Sequence, residues 1–439
     1  MKQQPNPRNA LTLERRELDP AALSKQLLRH AKKRARWQVG VEYELIGYTR
    51  ASLQRIDQEC VQSIMRAFAA QPGAAPVLEQ DQIVSVAIPD GSITLEPGGQ
   101  LEFSGPPTST IAETEARLRS FLVALRTFGE DRDVVFAALG FDPLRTLDEQ
   151  HWIRKQRYAI MRPYLRTRGG HAWNMMARTA SIQVSIDYGD ERDLGRKYVL
   201  GNRAGPYIAA MFANSPFADG RLTALKSTRY AAWLDTDPDR AGAGPGSLDA
   251  SFDLQRYVEE VLQVPLFFIE RNGALHNVAG TKLQDIPDAR AEDFENLLSM
   301  IFTEARLRQY VEMRSADSGP PEYALALMAL WKGLTYHADT LLAALEATPV
   351  LEQPAYRALQ MAVAKKALAA RCEGVNVLAV AQRLLELGRQ GLTVVAPQEL
   401  HYLDPLMQNV CEDGVSPADL LIKSHSRSAQ AALMSSLVA

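Results

Sequence analysis

Alternating polar and apolar residues predict several half-buried β-strands in this chain. Near its start, Val41, Tyr43 and Leu45 alternate with Glu42 and Glu44, so the two carboxylates share one face of a strand. Further strands are predicted at residues 83–88, 92–96, 100–104, 179–187 and 310–314. A sheet built from such strands has one charged, wet face and one aliphatic face covered by helices.

One hairpin-like unit packs two of these strands around a tight turn. The turn signal is the run Pro97-Gly98-Gly99. Antiparallel pairing around it would bring Glu96 and Glu102 close together on one sheet face, which is costly for like charges unless cations share them. This arrangement predicts a Mg²⁺ or Mn²⁺ site.

Helical periodicity predicts the remaining elements and dominates the chain after Pro321. A first helix begins near Pro20, and the basic run 32–36 is interpreted as its solvated end. The charged segment 229–240 is interpreted as a loop. Other predicted helices cover residues 57–70, 110–128, 193–212, 322–345, 355–371 and 377–387.

The change of periodicity sets the expected domain organisation of the 439-residue chain. We expect an N-terminal helical extension over residues 1–37 and a catalytic α+β domain over residues 38–320. A C-terminal helical region over residues 321–439 would pack on the catalytic domain. With 46% hydrophobic residues, the chain can bury a sizeable core.

Composition and charge exclude several classes of function. The net charge of −3 gives no basic field for nucleic acid or a membrane surface, and no stretch reaches the roughly 18 apolar residues of a membrane span. The three cysteines, Cys60, Cys372 and Cys411, are too widely spaced to indicate a disulfide framework or a zinc site. We therefore expect a cytoplasmic protein without nucleic-acid or membrane partners.

The polar strand faces carry acids and arginines that suit phosphate chemistry. Carboxylates from several strands can hold two or three divalent cations, and arginines neutralise carboxylate or phosphate oxygens. Metal ions that bridge phosphates beside arginines are typical of phosphoryl transfer. The acids are Glu42, Glu44, Glu96, Glu102 and Glu312, and the arginines are Arg157, Arg178, Arg229 and Arg314.

Each of these features also has a purely structural interpretation. Glutamates that alternate along a single strand more often form a solvated outer face, and arginines such as Arg178 and Arg229 more often belong to structural ion pairs. The histidines lie outside the polar faces, which disfavours a metal-dependent phosphoesterase. Spacing and composition alone therefore predict a metal-dependent enzyme of unknown reaction.

Longer segments resemble, in order, the signature blocks of the plant-type glutamate–cysteine ligase family, which includes bacterial enzymes of glutathione and ergothioneine synthesis. The blocks run from about Val39 to Tyr336, and S-P-A-D-L-L near the C-terminus also resembles the family. Several long motifs in register are far more specific than one short pattern. The segments are V-E-Y-E, L-E-P-G-G-Q-L-E-F-S-G, R-Y-A-I-M-R-P-Y, M-M-A-R-T-A-S-I-Q-V-S-I-D, F-A-N-S-P-F, R-Y-A-A-W-L-D-T-D-P-D-R and Y-V-E-M-R-S-A-D-S-G-P.

The resemblance implies a glutamine-synthetase-like α+β fold: a curved, mainly antiparallel sheet forming a funnel, flanked by helices, with a helical C-terminal region. It implies that ATP, as co-substrate, phosphorylates the γ-carboxylate of L-glutamate. The amine of L-cysteine would then attack the γ-glutamyl phosphate to give γ-glutamylcysteine. The protein would work as a monomer or homodimer.

The resemblance also assigns roles to individual residues. The metal ligands for two or three Mg²⁺ ions, or Mn²⁺, would be Glu42, Glu44, Glu96, Glu102 and Glu312. The catalytic residues would be Arg314, Arg178 and Gln183, and the substrate-binding residues would be Arg157, Arg229, Tyr158 and Trp233.

Three departures from the family pattern bear on the acceptor. The family usually has glycine at Ser315, asparagine at Ser185 and valine at Lys332. None removes a predicted metal ligand, but a changed pocket wall could select an amine other than cysteine, since such pockets separate near-isosteric acceptors by only about 1–3 kcal/mol. A γ-glutamyl ligase for another amine and a catalytically silent glutamate- or nucleotide-binding homologue are the alternatives.

Overall fold

A computed structural model describes residues 18–249, 251–425 and 428–439. Its strands, numbered here without the two-residue ones, are β1 Val39–Thr49, β2 Ala75–Glu79, β3 Gln82–Ile88, β4 Gly91–Leu95, β5 Leu101–Thr108, β6 Val134–Ala137, β7 Ser181–Ile186, β8 Phe268–Arg271, β9 Ala274–Asn277, β10 Ala305–Leu307 and β11 Val311–Asp317. All the predicted strands are present.

Its helices surround these strands. They are α1 Pro20–Leu28, α2 Gln58–Ala69, α3 Ile111–Arg132, α4 Gln156–Leu165, α5 Ala172–Arg178, α6 Glu191–Met211, α7 Thr228–Leu234, α8 Leu254–Val261, α9 Ala291–Ser299, α10 Pro321–Tyr336, α11 Ala338–Ala347, α12 Gln353–Lys366, α13 Val377–Val395, α14 Asp404–Leu406, α15 Pro417–His425 and α16 Ala429–Ser435. Among the described residues, none of these helices is both long and apolar enough to cross a membrane.

One nine-stranded sheet organises the described chain. Eight of its strands lie in the order β10-β11-β7-β1-β5-β4-β3-β2, and β6 pairs with the second half of β1. The pairings within this sheet are antiparallel. The α+β class with a mainly antiparallel sheet is therefore confirmed.

The alternation along β1 sorts its side chains between the two faces of the sheet. Val41, Tyr43 and Leu45 are buried in the main hydrophobic cluster. Helices α3 and α10 pack on this apolar face, against β5 and against β1 and β7 respectively. Glu42 and Glu44 consequently point from the opposite face, where the helices leave room for a cavity.

The turn between β4 and β5 is fixed by close backbone contacts. Gly99 has a φ of +79°, which favours glycine, and a Cβ on Gly98 would lie 2.1 Å from the carbonyl oxygen of Ala177. The amide of Gln100 donates to the carbonyl of Thr179 at 2.8 Å and accepts from the backbone N–H of Gly98 at 2.9 Å. The hairpin is thus fastened beside the start of β7, which brings acids from β5 and β1 toward one site.

Three local predictions were wrong. The segment predicted as a charged loop contains α7, because the hydroxyl of Ser227 caps its first turn by accepting from the N–H of Tyr230 at 3.0 Å.

Helix α1 ends at Leu28, so the basic run lies beyond it and ends in a short 3-10 helix, Arg34–Arg36. The helix predicted after Pro321 is two helices, α10 and α11, which meet at His337 in an extended conformation. The proposed three-part domain division stays a prediction.

Candidate active site

A cavity of about 540 Å³ opens on the polar face of the sheet. All but three of the predicted site residues line it. Those that do are Glu42, Glu44, Glu96, Glu102, Arg157, Tyr158, Gln183, Trp233 and Arg314. The tertiary structure therefore joins residues from β1, β5, β7 and β11 with residues of α4 and α7 in one place.

The carboxylates reach the cavity from neighbouring strands. Glu44 on β1 is directly opposite Glu102 on β5, and Glu42 is opposite Gln183 on β7. Glu96 follows the end of β4 at the hairpin turn. Directly opposed residues of an antiparallel pair hold their Cβ atoms about 4.5–5.5 Å apart, so these acids share one patch of the sheet.

Hydroxyl and amide groups hold two of these carboxylates in place. Glu44 accepts from the backbone N–H of Ser181 at 2.7 Å and from its hydroxyl at 2.9 Å. Glu102 accepts from the hydroxyl of Thr94 at 2.8 Å and from that of Ser104 at 3.1 Å. Each acid is therefore oriented by neighbours on its own or the adjacent strand, before any ligand binds.

Burial and mutual repulsion raise the pKa values of Glu42, Glu44 and Glu102. Burial, followed by the charges of Glu102 and Glu96, raises the pKa of Glu44 to about 8. Burial and then Glu96 raise the pKa of Glu102 to about 7. The pKa of Glu42 is also raised, by burial first and then by Glu102 and Glu312. A divalent cation would favour the charged forms of all three.

Glu312, in contrast, has a lowered pKa. It lies behind the cavity wall, where Arg306 reaches one of its carboxylate oxygens, Oε2, at 2.7 Å and Arg314 binds the same oxygen. Burial alone would raise its pKa, but the two arginines outweigh burial and lower the pKa to about 2. Its other oxygen, Oε1, is buried and has no hydrogen-bond partner among the described residues.

Two of the predicted arginines do not line the cavity. Arg229 is buried behind it and donates to the carbonyls of Arg314 at 2.9 Å and Ser315 at 3.3 Å. It shares a side pocket of about 20 Å³ with Trp233. Arg178 ends α5 and pairs with Asp219 at 2.8 Å, so the structure does not bring it to the cavity.

Arg157 and Trp233 give the cavity its binding groups. Arg157 lies over the ring of Phe268, with 5.8 Å between the guanidinium carbon and the ring centre. The ring of Trp233 faces the guanidinium of Arg314 at 5.2 Å. The cavity thus combines its carboxylates with arginines, which can bind the anionic groups of a substrate.

The oxygen-rich donor set fits hard divalent cations, which prefer carboxylate and amide oxygens. Within the described ranges, no three His, Cys, Asp or Glu side chains are already gathered as a cation cage. Two of these oxygens already bind the guanidinium of Arg314. Its Nη1 donates to Gln183 Oε1 at 2.6 Å and to Glu312. The orphaned Oε1 of Glu312 adds an unused acceptor.

Comparison with known families identifies the scaffold that carries this site. The sequence model of glutamate-cysteine ligase family 2 matches residues 38–436. The chain belongs to glutamate-cysteine ligase family 2. It is 33% identical over 406 residues to glutamate–cysteine ligase A, chloroplastic, of Oryza sativa subsp. indica, covering 90% of this chain and 82% of the relative. The chloroplastic enzyme of Brassica juncea is 33% identical over 404 residues, covering 90% and 78%.

A solved structure supports the fold. The glutamate–cysteine ligase of Francisella tularensis in complex with AMP superposes with a TM-score of 0.56 and 11% identity, covering 91% of this chain and 87% of that one. The family match confirms the family that the sequence motifs resemble. It also confirms the enzyme class, a glutamate–cysteine ligase. The glutamine-synthetase-like expectation for the fold is confirmed with it.

The departures from the family pattern lie at different distances from the cavity. Lys332 forms a buried pair with Glu399 at 2.7 Å, away from the residues that line the cavity. Ser315 donates to Glu304 at 2.5 Å and lines the side pocket beside Arg229. Of the three departures, Ser315 is therefore the one beside a predicted substrate-binding residue, while Ser185 is opposite Glu312 in the sheet.

Sequence reasoning missed two arginines of the cavity wall. Arg306 and Arg308 alternate with Ala305 and Leu307 just before the strand that carries Glu312. This is the same period of two that identified the other strands. The signal is short, because β10 has only three residues.

Proposed function

We propose that this protein joins the γ-carboxylate of L-glutamate to the amine of L-cysteine in an ATP- and Mg²⁺-dependent reaction. The γ-carboxylate is phosphorylated by ATP, and the amine then displaces phosphate from the γ-glutamyl phosphate. The observation that carries the proposal is the convergence of Glu42, Glu44, Glu96 and Glu102 in one cavity beside Arg314. The family of the chain supports the choice of glutamate and cysteine.

The residues of the chain do this work by positioning and charge. When bound, Mg²⁺ would neutralise phosphate oxygens and make the terminal phosphorus more electrophilic. Glu42, Glu44, Glu96 and Glu102 would hold the ions, together with one or both oxygens of Glu312. Ser181 and Thr94 keep the ligand oxygens oriented through the hydrogen bonds described above.

The arginines have separate roles in this proposal. Arg157 would bind a carboxylate of glutamate beside Tyr158, whose hydroxyl is fixed on the carbonyl of Leu95 at 3.1 Å. Arg314 would face the transferring phosphoryl group, next to Trp233. Arg229 would act as a positioning residue, because its guanidinium is bound to the backbone that carries Arg314.

Product analysis tests the reaction directly. The purified protein is incubated with Mg²⁺-ATP, L-glutamate and a panel of amines, and products are identified by mass spectrometry while ADP release is followed. We expect γ-glutamylcysteine as the dominant product. Another γ-glutamyl product would keep the mechanism and replace the acceptor, whereas no ADP release with any amine would favour the silent binding homologue.

Replacement of one carboxylate tests the metal assignment. Glu102→Gln should lower the ligation rate by about 10³-fold or more, because it removes an oriented anionic ligand from the cation site. The measurement is steady-state ADP release at saturating substrates, with the melting temperature as a check of the fold. The control is Glu130→Gln, which changes an exposed carboxylate on α3. Normal activity of Glu102→Gln would contradict the assignment.

A further inference from the structure

Two oxygens on the β11 side of the cavity already bind a positively charged group of the protein itself, the guanidinium of Arg314. One nitrogen of Arg314, Nη1, donates to Gln183 Oε1 at 2.6 Å and to Glu312 Oε2. These two oxygens come from adjacent strands, β7 and β11. An amide oxygen and a carboxylate oxygen that converge on one positive group supply two of the six oxygens that an octahedral Mg²⁺ would need.

The two arginines that bind Glu312 are held very differently. Arg306 is anchored to the backbone, since its Nη1 donates to the carbonyls of Ser299 at 2.9 Å and Ile301 at 3.3 Å. The side-chain nitrogens of Arg314 have only side-chain acceptors among the described residues, and its guanidinium lines the open cavity. Arg314 is therefore the partner that can leave, while Arg306 stays.

Trp233 lies beside Arg314 and lines the same cavity. The guanidinium carbon of Arg314 lies 5.2 Å from the centre of the Trp233 ring, close enough for a cation–π contact that does not depend on Glu312. A guanidinium released from Glu312 could keep this contact with Trp233 while it turns into the cavity that both residues line.

We propose that Glu312 and Gln183 exchange the guanidinium of Arg314 for a divalent cation, and that this exchange releases Arg314 toward the substrate. The inference rests on the proposed function, because it requires a cation at Glu312. Arg306 keeps Glu312 charged and oriented throughout. The same binding event would then complete the cation site and deliver the arginine to the phosphoryl group, so the arginine reaches its working position only when the cation is bound.

The first test measures binding of Mn²⁺ alone, by counting free Mn²⁺ with electron paramagnetic resonance. Arg314→Met should bind Mn²⁺ about tenfold more tightly than the wild type, because the competing guanidinium is gone. The matched control is Arg308→Met, which removes an equal charge from the same cavity wall. Without a direct bond to either oxygen, that change should tighten binding by about twofold or less. Equal effects of the two substitutions would overturn the proposal.

The second test uses the unmodified protein, in case Arg314→Met does not fold. The tryptophan emission is recorded during a Mg²⁺ titration, and the signal of Trp233→Phe is subtracted to isolate Trp233. Movement of Arg314 should change the Trp233 emission with the same midpoint as cation binding. Cation binding without a change at Trp233 would overturn the exchange. Absence of Mn²⁺ binding to the wild type would instead overturn the proposed function, and this inference with it.

Discussion

Glu102 and Glu312 project from the same polar face of one sheet, three strands apart in the order β5-β1-β7-β11. Their surroundings shift their pKa values in opposite directions. Glu102 is surrounded by other carboxylates and by hydroxyl donors, and its pKa rises to about 7. Glu312 is held between Arg306 and Arg314, and its pKa falls to about 2.

This difference shows that the two sides of the cavity would receive a cation in different ways. At Glu44 and Glu102, binding would displace protons and relieve repulsion between acids. At Glu312, binding would displace a guanidinium that is already paired. A carboxylate therefore cannot be assigned a resting charge state from its residue type, because the neighbouring charges decide it.

The largest expected difference between the Glu102 and Glu312 sides of the cavity is in the free energy of unfolding. Glu312→Gln should lower the free energy of unfolding by about 3–5 kcal/mol, because it leaves two buried guanidinium groups without their shared anion. Glu102→Gln should leave stability near neutral pH unchanged or raise it. Urea unfolding of both variants measures the difference. Equal destabilisation by the two substitutions would break the comparison.

A second effect is the pH dependence of stability without divalent cations. The folded-state pKa values of Glu44, about 8, and Glu102, about 7, lie above the unfolded value of about 4.3. Their contribution is therefore fully present below about pH 4.3 and is lost as the pH rises through 7 to 8. We expect a loss of about 1–3 kcal/mol over this window.

Thermal unfolding in EDTA across the same pH window measures this loss. Added Mg²⁺ should restore the stability at pH 8, since it would bind the ionised acids, and Glu102→Gln should flatten the profile. Glu312 should contribute the opposite slope, with stability lost only as the pH falls from about 4.3 toward 2. A flat profile in EDTA between about pH 5 and pH 9 would contradict the raised pKa values.

The smallest effect concerns one hydrogen bond. Thr94→Val removes the hydroxyl that donates to Glu102 at 2.8 Å while keeping the shape of the side chain. Because the bond stabilises the ionised acid, its loss should raise the pKa of Glu102 further and cost about 0.5–1.5 kcal/mol at pH 8. Melting curves are recorded for this variant at pH 8 and at pH 5, where Glu102 is protonated. The difference between the two pH values isolates the effect of the hydroxyl on the charged acid. An equal loss at both pH values would show that the hydroxyl does not act through the charge of Glu102.

Much of the sheet was predictable because its alternation is strong and local. Residues 39–45 and 179–187 each show a period of two, and the structure contains β1 and β7 there. The helix at residues 228–234 was missed, since its capping serine lies outside the segment that was interpreted as a loop. Short elements such as β10 give too few residues for a clear period, which is why Arg306 was missed.

The candidate site shows a similar division. The sequence identified Glu42, Glu44, Glu96 and Glu102, because each belongs to a long family motif. It did not identify Glu79, Glu270 and Glu295, which also line the cavity. It could not show that Arg178 turns toward Asp219, or that Arg229 binds the carbonyl of Arg314. Both directions depend on segments that are distant in the chain and meet only after folding.

The sequence by itself determined which residues share a polar face, because side chains alternate along a strand whatever surrounds it. It also determined the family, through long motifs in a fixed order. Only the tertiary structure decided which acids repel each other and which are paired. Glu44 meets Glu102, and Glu312 meets Arg306 and Arg314, through strand register and side-chain direction. Charge interactions depend on distance and burial, and both are properties of the folded chain.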